Sequence, residues 1–124
     1  MSLKGKSVSL IECGAAHTMV KTLNNELYSF GLNDKGQLGL GIMGNFTTIP
    51  HKMSRFTSFP VTKMSCSEES SSCLTSNGDL YIWGRNTDNM FDGEGGMFAT
   101  DDSIMKPTLV SIFQIYIFYI FPLL

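Results

Sequence analysis

The sequence predicts an all-β chain: two small antiparallel sheets stacked as blades of a β-propeller, too few to close a ring. Three observations carry this. A pattern recurs at fixed spacing. Each copy is made of short β-prone runs separated by turn residues. Both faces of those runs carry apolar groups, which suits sheets stacked face to face.

The recurrence sets the frame. Cys13 aligns with Cys66, an offset of 53 residues (66 − 13), and the alignment runs without a gap from Cys13–Asn33 to Cys66–Asn86. Seven of the 21 positions are identical: Cys13/Cys66, Thr22/Thr75, Asn24/Asn77, Leu27/Leu80, Tyr28/Tyr81, Gly31/Gly84 and Asn33/Asn86. Composition alone gives about one or two matches. Phe30 and Trp83 form a near-synonymous pair, as do Glu26 and Asp79. Downstream, Pro50 faces Pro107 at an offset of 57 (107 − 50), so extra residues have entered the second copy. The repeats therefore span about 7–59 and 60–110, within a repeat domain of 1–110.

Within the first copy, Val8–Cys13 is a β-prone run, Gly14-Ala15-Ala16 a small-residue turn, and His17–Thr22 a second run with β-branched Thr18, Val20 and Thr22. Asn24-Asn25, matched by Asn77-Gly78, reads as a two-residue type I′ turn, because these residues tolerate positive φ. Leu27–Phe30 and Leu80–Trp83 are the return strands. Gly31 and Gly84 stop them where a side chain would obstruct a sharp turn. A short last strand is expected near His51–Met53 and again near Thr108–Val110, each just after a Pro. Each repeat is then a sheet of three or four strands, which cannot bury both faces alone. No window carries the apolar period of a useful amphipathic helix.

The 124 residues suffice for one small domain. With a net charge of −2 and only 16% charged residues, the chain offers no basic field for a phosphate backbone, which argues against direct nucleic-acid binding. The cysteines, Cys13, Cys66 and Cys73, are odd in number and fit no metal-ligand spacing. A Cys66–Cys73 pair is conceivable, but free thiols in a reducing compartment fit better. The N-terminus lacks the apolar run of a signal peptide, so a cytoplasmic or nuclear location is expected.

The first copy reads C-G-x-x-H (Cys13, Gly14, His17), then L-Y-S-F-G-x-N (Leu27–Asn33), then G-Q-L-G-x-G (Gly36, Gln37, Leu38, Gly39, Gly41). In this it resembles the repeat of the regulator of chromosome condensation family. The second copy keeps Cys66, Tyr81, Trp83, Gly84 and Asn86. It has Ser67 for the Gly, Ser70 for the His, and Asn89-Met90-Phe91-Asp92 for Gly-Gln-Leu-Gly. The resemblance implies a propeller blade, in that family usually one of seven. It also implies a role as a guanine-nucleotide exchange factor for a small Ran-like GTPase, or as an interaction module. Two blades offer only part of an exchange surface. The expectation is therefore a non-enzymatic protein–protein interaction module, a fragment or truncated member, with the exchange factor as the alternative.

No residue pattern supplies chemistry. His17 lacks a nearby ligand or nucleophile in sequence, and by resemblance it is a structural hydrogen-bonder at a blade turn. His51 reads as a loop or edge residue. Gly36–Gly41 lacks the phosphate-loop Lys and has no following helix. Asp88–Glu94 fails the calcium-loop pattern, with Met90 at the third ligand position and Ala99 at the twelfth. No catalytic, cofactor or metal residue is expected. The serine-rich Ser65–Ser76 reads as a worn strand. Phe30 and Trp83 read as packing between blades. Asp34, Lys35, Asp92 and Glu94 are the candidate partner contacts, in loops where the copies diverge. The strand is expected to carry the blade fold and the Gly36–Gly41 loop to vary for different contacts.

Leu109–Leu124 is uncharged and aromatic, unlike the rest. Three readings stand: abnormal termination of a longer coding sequence, the first strand of a lost third blade, or a short membrane anchor. At 16 residues it falls short of the ~20 a spanning helix needs. A membrane role is thus not expected, and residues 111–124 are set apart from the repeats.

Overall fold

The computed structural model describes residues 3–86 and 103–110. These form two four-stranded antiparallel sheets, each in simple chain order. The first holds β1 (Val8–Cys13), β2 (His17–Thr22), β3 (Leu27–Gly31) and β4 (Thr47–Lys52). The second holds β5 (Val61–Cys66), β6 (Ser70–Thr75), β7 (Leu80–Arg85) and β8 (Ser103–Leu109). The described residues are all-β, and the two sheets are blades of an incomplete ring. The candidate contacts Asp92 and Glu94 lie outside the described residues, as does the tail 111–124.

The repeat extends to individual backbone bonds. The turn from β1 to β2 closes with Gly14 N donating to His17 O, and its counterpart with Ser67 N donating to Ser70 O. Thr22 N bonds Glu26 O as Thr75 N bonds Asp79 O, and Met53 N bonds Leu27 O as Val110 N bonds Leu80 O. Bulges fall at matching places, between Val8 and Leu10 and between Val61 and Lys63.

Two expectations need correction. The β2–β3 connection is not a two-residue type I′ turn, which needs positive φ at both central residues. Asn25 (φ 63°) and Gly78 (φ 91°) have it, whereas Asn24 and Asn77 do not. Asn25 N instead bonds Thr22 O, giving a three-residue loop with one left-handed residue at its end. The Oγ1 of Thr22 accepts from Glu26 N at 3.2 Å, and Thr75 does the same for Asp79 N. That is a local reason for the identical threonines. The last strands, β4 and β8, also begin earlier than expected and contain their prolines. Both are edge strands, and Pro50 and Pro107 fall where the register shifts, between Ser29 and Gly31 and between Ile82 and Gly84. A residue without an N–H loses no ladder bond there.

Cross-strand partners share a face, so the register shows what each sheet presents. On one face of the first sheet lie His17, Met19, Leu27 and Ser29; on the other, Thr18, Val20, Tyr28 and Phe30. The second sheet turns the opposite set inward: Ser71, Cys73, Tyr81 and Trp83. Met19, Leu27 and Met53 pack into one core with Val61, Met64, Cys73, Trp83, Ile104 and Val110. Full burial of such side chains stabilises by about 1.5–3 kcal/mol each, so stacking supplies what neither sheet can provide alone. Phe56, on the connector between sheets, stands edge-on to Tyr81 at 4.9 Å and Trp83 at 6.1 Å between ring centres.

Candidate functional site

Of the residues singled out in the first repeat, Gly14, His17, Gln37, Gly39 and Gly41 meet at the joint between the sheets. After β3 the chain enters the Asn33–Gly41 loop, which leans onto the second sheet. Its shape comes from its own side chains. Asn33 Oδ1 accepts from Leu38 N at 3.2 Å, and its Nδ2 donates to Ile42 O at 2.9 Å. Gln37 Oε1 accepts from Lys35 N at 2.8 Å, and its Nε2 donates to Asp34 Oδ1 at 3.0 Å. Ser29 Oγ ties the loop to β3 by donating to Leu38 O at 2.7 Å. Gln37 and Leu38 are thereby buried, each 1% exposed.

Folding Gln37 back onto its own loop aims its carbonyl across the joint. That oxygen accepts from Trp83 Nε1 and from Ser71 Oγ, both at 2.9 Å. Gly41 N adds a bond to Met105 O at 2.9 Å. The glycines are needed for closeness. A Cβ on Gly39, at φ 69°, would stand 2.8 Å from Trp83 Nε1 and 2.7 Å from Met53 Cε, well inside contact distance.

His17 crosses the joint beside this loop. It is 2% exposed, and its Nε2 lies 2.9 Å from Ser71 Oγ. The single hydroxyl hydrogen of Ser71 is committed to the Gln37 carbonyl, which can only accept. His17 Nε2 therefore carries the proton and donates to Ser71. Nδ1 is left buried without a partner among the described residues. Burial pushes the imidazole below its usual range, opposed by the Ser70 backbone carbonyl. Gly14 makes room for the ring, since a Cβ there would lie 2.1 Å from His17 Cε1.

This set does not form a nucleophile–base pair open to substrate: Ser71 is 3% exposed and its proton points to a carbonyl. The cysteines of the described residues are free thiols. Burial pushes Cys66 up to about 11 and Cys73 up to about 12, so neither is a ready thiolate. Among the described residues no group of three or more His, Cys, Asp or Glu is placed to hold a metal ion. A groove of about 290 Å³ lies between the β2–β3 loop and the connector from Lys52 to Val61. Its charged groups are engaged: Glu26 is held by Lys6 at 3.0 Å and Lys52 at 2.8 Å, which lowers its carboxyl, and Arg55 turns onto Thr57 O and Ser58 O.

The remaining signature residues lie apart from the joint's hydrogen bonds. Cys13 is exposed at the end of β1. Tyr28 is fully buried, on the face of its sheet turned away from the second. Gly31 and Gly84 hold positive φ against the preceding turns, where a Cβ would meet Ala16 O at 2.4 Å and Glu69 O at 2.6 Å. Asn86 is buried just beyond β7. Asp34 is exposed at the loop's crest, beside half-buried Lys35. Sequence reasoning missed Ser71, which it took as part of a worn strand. The one signal was that the first repeat also has a hydroxyl at the equivalent position, Thr18.

The Regulator of chromosome condensation (RCC1) repeat profile matches residues 24–74, and a second profile of the same description matches 8–37 and 61–89. The human X-linked retinitis pigmentosa GTPase regulator is 39% identical over 88 residues, covering 70% of this chain and 8% of that protein. The Arabidopsis thaliana ultraviolet-B receptor UVR8 is 34% identical over 83 residues, covering 67% of this chain and 19% of the receptor. The crystal structure of Prp20p from Saccharomyces cerevisiae, described together with its binding to Gsp1p and histones, superposes with a TM-score of 0.70 at 25% identity, over 85% of this chain and 27% of Prp20p. The chain thus spans less than a third of each of these relatives.

Proposed function

Because the chain belongs to the regulator of chromosome condensation repeat family, we propose that it is a non-enzymatic protein–protein interaction module. Residues 1–110 are its two-repeat domain and 111–124 a separate apolar tail. One observation carries this reading. The groups with chemical potential, His17, Ser71, Cys66 and Cys73, are spent inside the joint, while large apolar groups stand outward beyond the loop. Ile42 is 63%, Phe46 60% and Ile49 54% exposed along one short stretch leading into β4. Apolar surface left in water on a blade rim suits a protein partner. Asp34 and Lys35 at the loop crest, with Asp92 and Glu94, are the candidate polar contacts. No cofactor or metal enters this reading. The net charge of −2 argues against direct nucleic-acid binding.

No helix of the described residues is long and apolar enough to cross a membrane. We place the protein in the cytoplasm or nucleus, where free thiols persist.

The alternative is nucleotide exchange on a Ran-like GTPase, favoured by the likeness to Prp20p, which binds Gsp1p. A nucleotide-release assay with a Ran-type GTPase loaded with fluorescent GDP separates the two. Release at the intrinsic rate in the presence of this chain is the expected result. Acceleration by the chain overturns the interaction-module reading in favour of exchange.

A further inference from the structure

We propose that the joint between the two blades is an acid-released latch, in which protonation of His17 at Nδ1 frees the Asn33–Gly41 loop from the second sheet. Geometry carries the argument. His17 belongs to the first sheet and Ser71 to the second, and the hydrogen bonds run from His17 Nε2 to Ser71 Oγ to the Gln37 carbonyl. Trp83 Nε1 closes on the same carbonyl. The chain of donors fixes the Nε2–H tautomer and leaves Nδ1 as a buried lone pair with no hydrogen-bond partner among the described residues. A proton added there places a charge in a buried site, where the Ser70 carbonyl offsets the cost of burial only in part.

Among the described residues, the groups packed against the ring carry no compensating charge. Gly14 and Ser71 pack against the ring and are neutral. The charged and titratable groups on the flanking elements are Glu12 and Cys13 on β1, Lys21 on β2, Asp34 and Lys35 on the loop, Lys63 on β5, Glu68 and Glu69 before β6, and Arg85 on β7. Glu69 pairs with Arg85. The thiol of Cys66, 4.0 Å from Ser71 Oγ, is raised and neutral. Burial is the leading cause of the lowered His17 imidazole, with the Ser70 carbonyl opposing it.

The direction follows from proton linkage. The closed joint binds a proton at His17 less readily than the opened one, whose imidazole returns toward its ordinary value of 6.5. Closure is therefore fully favoured above that value and weakens as pH falls through it, by up to about tenfold in the open-to-closed ratio per pH unit. The second repeat holds the same turn without titration. Ser67 and Ser70 replace Gly14 and His17, and their hydroxyls bond to each other.

The chain supplies its own probe, because Trp83 is its single Trp and its N–H sits in the latch. Emission of the wild-type chain is followed from pH 8 to pH 5 alongside far-UV circular dichroism. The expected result is a reversible one-proton red shift with the sheet signal held. In the Gly14→Ser/His17→Ser double variant, which copies the second repeat, the shift is abolished. Constant wild-type emission, or an equal shift in the double variant, overturns the proposal. Imidazole NMR of the wild type tests it without relying on a variant. A His17 midpoint below 6.5 supports the latch, and one at or above 6.5 refutes it.

Discussion

The two repeats share a backbone plan and differ at the turn that faces the next blade. In the first, Gly14 and His17 cooperate: the missing Cβ admits the ring, and the ring reaches Ser71. In the second, both positions are serine and satisfy each other. The turn closes with the same backbone bond in both. The backbone plan therefore tolerates either pair. What the Gly–His pair adds is a hydrogen bond to a neighbouring sheet. The loop comparison says the same. Gly36-Gln37-Leu38-Gly39 seals a joint, and the second repeat, with Asn89-Met90-Phe91-Asp92 in its place, lacks the glycine that lets backbone approach a Trp so closely.

If the joint and not the sheet is where the first repeat is specialised, substitutions there should exceed matched ones elsewhere. Gly39→Val should have the largest effect. It imposes a branched side chain on a left-handed residue and drives it into Trp83, at a cost of at least about 3 kcal/mol, read by urea denaturation. Ser71→Ala comes next, at about 2 kcal/mol, because it strands the buried Nε2–H of His17. Its control is Ser72→Ala on the opposite face, where the hydroxyl only meets Ser65 O at 3.3 Å, with an expected loss below about 0.5 kcal/mol. Equal losses at 71 and 72 would break the comparison. Trp83→Phe, which installs the first repeat's residue, should cost about 1–2 kcal/mol, since Gln37 O keeps one of its two donors. Gly78→Asn should matter least, below about 1 kcal/mol. A Cβ there meets nothing, and the first repeat already holds Asn25 at that left-handed position.

The strands were legible because their signals are local. β1 and β2 coincide with the expected runs Val8–Cys13 and His17–Thr22, and the repeat offset put β5 and β6 in the matching places. The edge strands were read too short. Their prolines look like boundaries in sequence, and only the register shift opposite Ser29–Gly31 and Ile82–Gly84 shows why they are tolerated inside. The turn type was missed because Asn24-Asn25 fits two hairpin loops, and the choice between them lies in the Thr22 hydroxyl and backbone. The joint was half legible. Trp83 was expected between blades, but the Gln37 carbonyl that it binds is a backbone atom, which no side-chain motif announces. The loop expected to vary for outside contacts also seals the joint, because Asn33 and Gln37 spend their amides on the loop itself.

Across the joint, His17 of one blade and Ser71 of the other act as one unit. A double-mutant cycle with His17→Ala and Ser71→Ala, read by urea denaturation at pH 8, tests this most directly. The expected coupling is about 1–2 kcal/mol, because either single change already removes the shared bond. Losses that add within about 0.3 kcal/mol would contradict it.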